Sequence, residues 1–405
     1  MLDALYVFVT MAIPKAGVQL GGIPLTLNIL LSALVVLKNP NETIGFIQKI
    51  RGFNVAYWTL LAFGMVTFVL GLTDGTKPFD LAQTLIVLAS PLVGVAALRL
   101  KPETLTRIVI VATIIVNVYG LIQFVGGVEK TSVEGLTYTY GQSLLDKPIG
   151  MSTTTDTADT KIISTFQNGN SYGIFNVLAF SFLMSRLPVS GGWGALRMVA
   201  TISSVVGVMI CGSRSSVIPF AIMCVFMVIS FLNQLPPRKR QNILVLIAVI
   251  CIVGVVALVA QGTILEQFWE RNVVHTTQDT TAAGRTDQWA NSFRIIGQLS
   301  ALPLLRLFFF GKSAGMNLIG EGLPEFFFNF GIIGTVAFYG GLLCLVRYCW
   351  KLAHGRTIAM GILCVTAAFC MDRTYHFPPN LMMISLFAAA AIVISTESNR
   401  TIIRA

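Results

Sequence analysis

Four short segments hold the side chains with chemistry to offer. In Gly212-Ser213-Arg214-Ser215-Ser216 a guanidinium stands between hydroxyls in what reads as a tight turn. Such a turn presents one anion with a bidentate fork from Arg214, the hydroxyls of Ser213 and Ser215, and free backbone N–H groups, a set that suits a diphosphate. Gly284-Arg285-Thr286-Asp287-Gln288-Trp289 places a second arginine ahead of Trp289, Phe293 and Ile296, which recur at i, i+4 and i+7, the period of an amphipathic helix. Arg285 would stand at the positive N-terminus of that helix, where an anion is favoured, with Arg294 farther along it. Glu325 precedes Phe326-Phe327-Phe328, and a carboxylate partly desolvated by aromatic rings is a better general base. His376, in Asp372-Arg373-Thr374-Tyr375-His376-Phe377-Pro378-Pro379, could take the same proton, with Arg373 beside it. Each candidate has a plainer reading. Arg214 could snorkel to a lipid phosphate, Arg285 could pair with Asp279 or Asp287, Glu325 could pair with a loop arginine, and His376 could be structural.

The elements that must position these residues follow from composition. The chain has 405 residues, 55% hydrophobic and 11% charged, with a mean hydropathy of +0.76. An ordinary soluble domain carries roughly a quarter charged residues, so that class is excluded. About twelve apolar runs approach the length of a membrane helix: 2–13, 20–37, 53–72, 81–98, 108–125, 171–187, 196–211, 216–235, 243–260, 323–346, 357–371 and 381–394. The first is short for a full crossing. The stretch 198–235 is too long for one helix, at about 57 Å against an apolar thickness of about 30 Å, so it must fold back. Its only polar break is the segment around Arg214. The expected architecture is all-α: one integral membrane domain over 1–405, with long external loops at 126–170 and 261–322, the second carrying the amphipathic helix.

Charge sets the orientation. The formal net charge is +10, which as a bulk figure invites a nucleic-acid reading. Taken by alternate connections, however, one set has a local net charge of +12 and the other −2. By the positive-inside rule the first set, with both termini, is cytoplasmic, and no nucleic-acid partner is implied. Cytoplasmic connections are too short for a nucleotide-binding motor. Gly311-Lys312-Ser313 resembles the end of a phosphate-binding loop, but position 306 is Arg306 where that motif needs glycine. The seven cysteines avoid the long loops, and His275, His354 and His376 lack metal-ligand spacing, so no metal or other cofactor is expected. Met1-Leu2-Asp3 lacks the positive start of a secretory signal, and no internal repeat of the transporter kind is evident.

Phe166-Gln167-Asn168-Gly169-Asn170 before a span, Gly212-Ser213-Arg214-Ser215 at an external turn, Gly284-Arg285 followed by Trp289, and Gly331-Ile332-Ile333-Gly334 in the next span resemble the O-antigen polymerase and O-antigen ligase superfamily. The resemblance covers roughly 166–334. It implies a GT-C-like membrane glycosyltransferase in a bacterial inner membrane, acting on glycans carried by undecaprenyl diphosphate. Arg214 and Arg285 would contact the diphosphate, and Asn170, Trp289, Arg294 and Arg373 would bind substrate. Tyr138, Tyr140 and Trp269 would add stacking surfaces for sugars. Lipid, a flippase and a chain-length regulator are the expected partners. Ligases of this superfamily carry a His-Asn element just before the Gly-x-x-Gly span, whereas 321–334 contains no histidine. That departure favours a polymerase, with a ligase, a flippase or other transporter, and an assembly scaffold as the alternatives.

Overall fold

The computed structural model describes residues 1–20, 23–140, 161–185, 191–233, 235–236, 239–241 and 285–404. Residues 1–220 with 298–405 form one compact unit, and residues 221–297 form a second. Among the described residues, seven helices are long and apolar enough to cross a membrane, and four apolar helices are shorter. The chain is a mostly helical, multi-pass membrane protein. The expected span 243–260 lies outside the described residues.

The first unit opens with α1 (Leu2–Ala12), an antiparallel pair of strands β1 (Gly17–Leu20) and β2 (Ile23–Thr26), and α2 (Leu27–Lys38). The expected helix over 20–37 is corrected here, because Leu20 and Ile23–Thr26 are strand. Pro24 lacks the N–H that a helix interior needs, and two glycines precede it in the sequence, so helix begins only at Leu27. After α3 (Pro40–Gln48) come α4 (Arg51–Thr73) and α5 (Pro78–Ala89), the latter passing through a 3₁₀ turn (Ser90–Gly94) into the single turn of α6 (Val95–Leu98). Pro91 explains that change of winding, since it cannot donate to the preceding turn. At this end of the unit Arg99 reaches Asp3 at 3.3 Å and Glu42 at 2.6 Å, and Lys38 reaches Asp3 at 2.6 Å.

Next, α7 (Pro102–Gly126) leads to the short α8 (Val128–Thr131). In the expected loop 126–170, the described residues 161–168 run back along α7 instead of standing clear of the bundle. Ser164 donates its hydroxyl to the Val116 carbonyl at 2.6 Å, and its backbone is bonded on both sides by Gln123, at 2.7 and 3.2 Å. Irregular backbone survives at this depth when protein satisfies its polar groups. The central α9 (Gly169–Leu183) is 15 residues long and buried along nearly all of its length. Tyr172 on α9 donates to Asn117 of α7 at 2.7 Å, about 14 Å short of the end of α7. The N-terminus of α9 therefore opens within the helical layer.

The long stretch 198–235 does break, into α10 (Trp193–Ile210) and α11 (Arg214–Leu232). Gly212 makes the turn at φ +64°, a left-handed conformation natural to glycine. Within the expected loop 261–322 lie α12 (Arg285–Ile296), in the second unit, and α13 (Ala301–Phe310), an apolar helix in the first. The unit closes with α14 (Leu323–Lys351), α15 (Arg356–Met371), a 3₁₀ turn (Arg373–His376) and α16 (Pro378–Arg404). Gly331 kinks α14, with φ +65° and ψ −176°, and a side chain there would collide with the backbone at the end of α13. The short arm ahead of the kink carries Glu325 and Asn329.

Candidate functional site

Three polar segments meet at the N-terminus of α9. Asn168 caps this helix, accepting from the Ser171 N–H at 2.9 Å. Asn170 donates to the Asp372 carboxylate, and its carbonyl accepts from Ser216 at 3.4 Å. Asn380 ties the third segment in, donating to Ser171 Oγ at 3.0 Å and to the Thr374 carbonyl at 2.8 Å. The sequence motif around Asn170, the Arg214 turn and the turn between α15 and α16 are thus one cluster. Asn170 Oδ1, Thr374 Oγ1 and Asn380 Oδ1 are buried there with no hydrogen-bond partner among the described residues. Buried polar atoms are normally satisfied, so three in one place mark polar capacity that the local fold does not use.

Arg214 is the first residue of α11 and is half-buried. The Ser213 carbonyl accepts the first helical bond, from Val217 at 2.9 Å, which makes Ser213 the cap residue. The Ser213 and Ser215 hydroxyls are buried and bonded to each other at 2.9 Å. This turn therefore offers an arginine at a positive helix end, beside a hydroxyl pair that keeps one O–H free to donate.

A second arrangement surrounds His376, at the other end of the Asp372 turn. Gln83 of α5 contacts His376 Nδ1 at 2.8 Å, and Asn329 contacts His376 Nε2 at 3.4 Å. Asn329 also donates to Glu325 Oε1 at 3.2 Å. Glu325 is 6% exposed, and it receives Lys312 at 3.3 Å and the Gly320 N–H at 2.9 Å as well. Both carboxylate oxygens are therefore engaged, which suits an anchor better than a base awaiting a proton. Burial, with Arg373 and Lys312 adding their charge, pushes His376 down to about 3, so the imidazole is neutral at physiological pH. Arg373 is exposed beside it.

The remaining expectations are distributed as follows. Arg285 opens α12, and Trp289 is half-buried on it while Phe293 is exposed and Arg294 donates to Asn291 at 2.8 Å. The buried member of that helix is Ser292, one residue off the expected apolar stripe. Arg306 pairs with Asp74. Tyr140 bridges to Val18 beside the strand pair, and Tyr138 to Glu134, so neither lies in the contacts around Asn170 or His376. Trp269 lies outside the described residues. Among the described residues no three His, Cys, Asp or Glu side chains converge as a metal site would require.

Sequence reasoning missed Gln83, Asn329 and Lys15. Lys15 is buried, donates to Gln167 just ahead of the α9 cap, and is pushed down by burial to about 8. Gln83 and Lys15 each interrupt or end an apolar run, and a polar side chain in that position was the available signal.

Residues 199–300 match the family described as O-antigen ligase. No curated protein matches the chain. The matched quarter of the chain holds Arg214, Arg285, Trp289 and Arg294, whereas Asn170, Glu325, Arg373 and His376 lie outside it. The match takes in about a quarter of the chain and supports the O-antigen ligase and polymerase superfamily, whose members are membrane glycosyltransferase-like enzymes.

Proposed function

We propose that this protein is a surface-polysaccharide polymerase that moves a glycan from undecaprenyl diphosphate to a hydroxyl of a lipid-linked repeat unit. The observation that carries this reading is the link from the helix N-terminus that Arg214 opens, through Ser216 and Asn170, to Asp372 at the start of the turn that holds His376, with three buried polar atoms around that link left without partners. A donor with a charged leaving group and a hydroxyl-rich acceptor need that combination. The acceptor oxygen attacks the anomeric carbon, the bond from that carbon to the diphosphate oxygen breaks, and the acceptor proton passes to His376 Nε2. Arg214 stabilises the charge that grows on the departing diphosphate. Arg285 has the same role by resemblance. Glu325 fixes Asn329 and Lys312 around the base.

His376 is a weak base while burial and the cations Arg373 and Lys312 act on it. Arrival of an anionic donor offsets those cations and raises the proton affinity of the imidazole when it is needed. The reaction is placed on the external face of a bacterial inner membrane, with both termini cytoplasmic.

A ligase is the second reading, and the pairing of His376 with Asn329 favours it. The stretch 321–334 has no histidine of its own, but the fold brings one to its asparagine from a later turn. Purified protein in nanodiscs, given lipid-linked repeat units alone, separates the two. A polymerase lengthens them and a ligase does not. Wild-type product lengths from Arg214→Ala at matched abundance would sink the diphosphate assignment for both.

A further inference from the structure

Two neighbours constrain His376 independently, and they demand the same state. Gln83 Oε1, 2.8 Å from Nδ1, can only accept, so Nδ1 must carry a proton. Asn329 Nδ2, 3.4 Å from Nε2, can only donate, so Nε2 must present its lone pair. A doubly protonated ring would set an N–H against the Asn329 N–H, with the cations Lys312 and Arg373 nearby. The charged and titratable groups around the ring are Lys312, Glu325, Asp372, Arg373 and Tyr375. Glu325 reaches toward Nε2 through Asn329, and Gln83 stands at Nδ1.

The geometry points to Gln83 as the positioning residue that holds His376 in the Nδ1–H tautomer with Nε2 free to take the acceptor proton. This inference rests on His376 being the base in the reading above. Gln83 lies in the second turn of α5, far in sequence from the matched family stretch. Fixing a tautomer through the far ring nitrogen is how a neutral histidine is kept ready to accept. Asn329 marks the place that an acceptor hydroxyl takes: on its arrival Asn329 keeps its bond to Glu325 and yields Nε2.

The test uses full-length protein in nanodiscs with ¹⁵N-labelled histidine. The chain has three histidines, and His376→Gln identifies the resonances of position 376. Wild type is expected to show Nδ1 protonated and Nε2 bare at pH 7, and Gln83→Leu a mixture of tautomers. Turnover with lipid-linked repeat units should fall about tenfold in Gln83→Leu, with KM for the acceptor nearly unchanged. Gln83→Glu keeps an acceptor at Nδ1, so it should restore the tautomer and most of the turnover. Its added negative charge should move the acid limb of the kcat profile to higher pH. An unchanged tautomer in Gln83→Leu would overturn the inference, as would wild-type turnover of that variant beside an inactive His376→Gln. Full activity of His376→Gln would instead remove the base assignment, while the tautomer measurement still decides what Gln83 does to the ring.

Discussion

At the Arg99 end of the first unit, two carboxylates meet two cations. Asp3 takes Lys38 and Arg99, Arg99 also takes Glu42, and its remaining N–H groups go to the carbonyls of Val35 and Asn39. Arg99 is 13% exposed, and its bonds close on the ends of α1, α2, α3 and α6. The His376 end buries charge in another manner. There Lys312 pairs with Glu325, while Asn329 stands between that carboxylate and a neutral histidine and Asn170 donates to Asp372. Three polar atoms in the same turns remain unused. Charge that closes on itself ties helix ends together. Charge held against amides and a neutral base is arranged for something that arrives.

The sharpest way to break this contrast is to remove one arginine from each cluster. Arg214→Ala should lower elongation roughly 100- to 1,000-fold, the scale of losing one oxyanion-type donor. Thermal unfolding should scarcely move, and gel analysis of product length at matched abundance reads the loss. Arg99→Ala should do the opposite. It leaves Asp3 half-paired in a buried position, at a cost of about 3 kcal/mol, and a melting curve should show it while turnover per folded molecule holds. Arg285→Ala is expected to follow Arg214→Ala in activity. If the Arg214 variant melts early and the Arg99 variant stops chemistry, the two clusters have been assigned the wrong way round.

Much of this contrast was legible in the sequence, though unevenly. The break around Arg214 followed from length alone, because no 38-residue run fits one crossing. Arg214, Glu325 and His376 each stand out as polar groups beside apolar runs, and Asn170 follows only from the motif that carries the resemblance. Their convergence was not legible, since Asn170 meets Asp372 across some two hundred residues and no local period encodes that. The strand pair ahead of α2 was hidden by its own hydrophobicity, which reads the same in a half-buried hairpin and in a helix. Gln83 was lost inside a run scored only for how apolar it was. Lys312 lies in a segment that only resembles the end of a phosphate loop, and its partner, Glu325, depends on the kink at Gly331, which places the first arm of α14 beside the end of α13.

Glu325→Gln gives a smaller effect that sharpens the roles at the His376 end. The amide keeps one acceptor oxygen, so it can serve Asn329 or Gly320 but not both, and it no longer neutralises Lys312. Turnover should fall about tenfold if Glu325 is an anchor, and far more if it is itself the base. A kcat assay with the same lipid-linked units, run beside His376→Gln, ranks the two.

The smallest effect concerns stability, and it follows from the neutrality of His376. In the folded protein this ring titrates near 3, and in an unfolded chain near 6.5. Between those values the unfolded state binds the extra proton, so folding stability is complete above about pH 6.5 and declines as the pH falls toward 3. Melting temperatures from pH 7.5 down to 5 should therefore drop more steeply for wild type than for His376→Gln, which has nothing to protonate there. The ion pairs at the Arg99 end are present in both proteins and cancel in the comparison. Added polyprenyl diphosphate should flatten the wild-type slope, because a bound anion raises the folded value toward the unfolded one. Parallel slopes in the two proteins would mean that His376 takes up its proton in the fold as readily as in the unfolded chain. The contrast between a cluster that is fully paired and one that waits with a neutral base would then lose its second half.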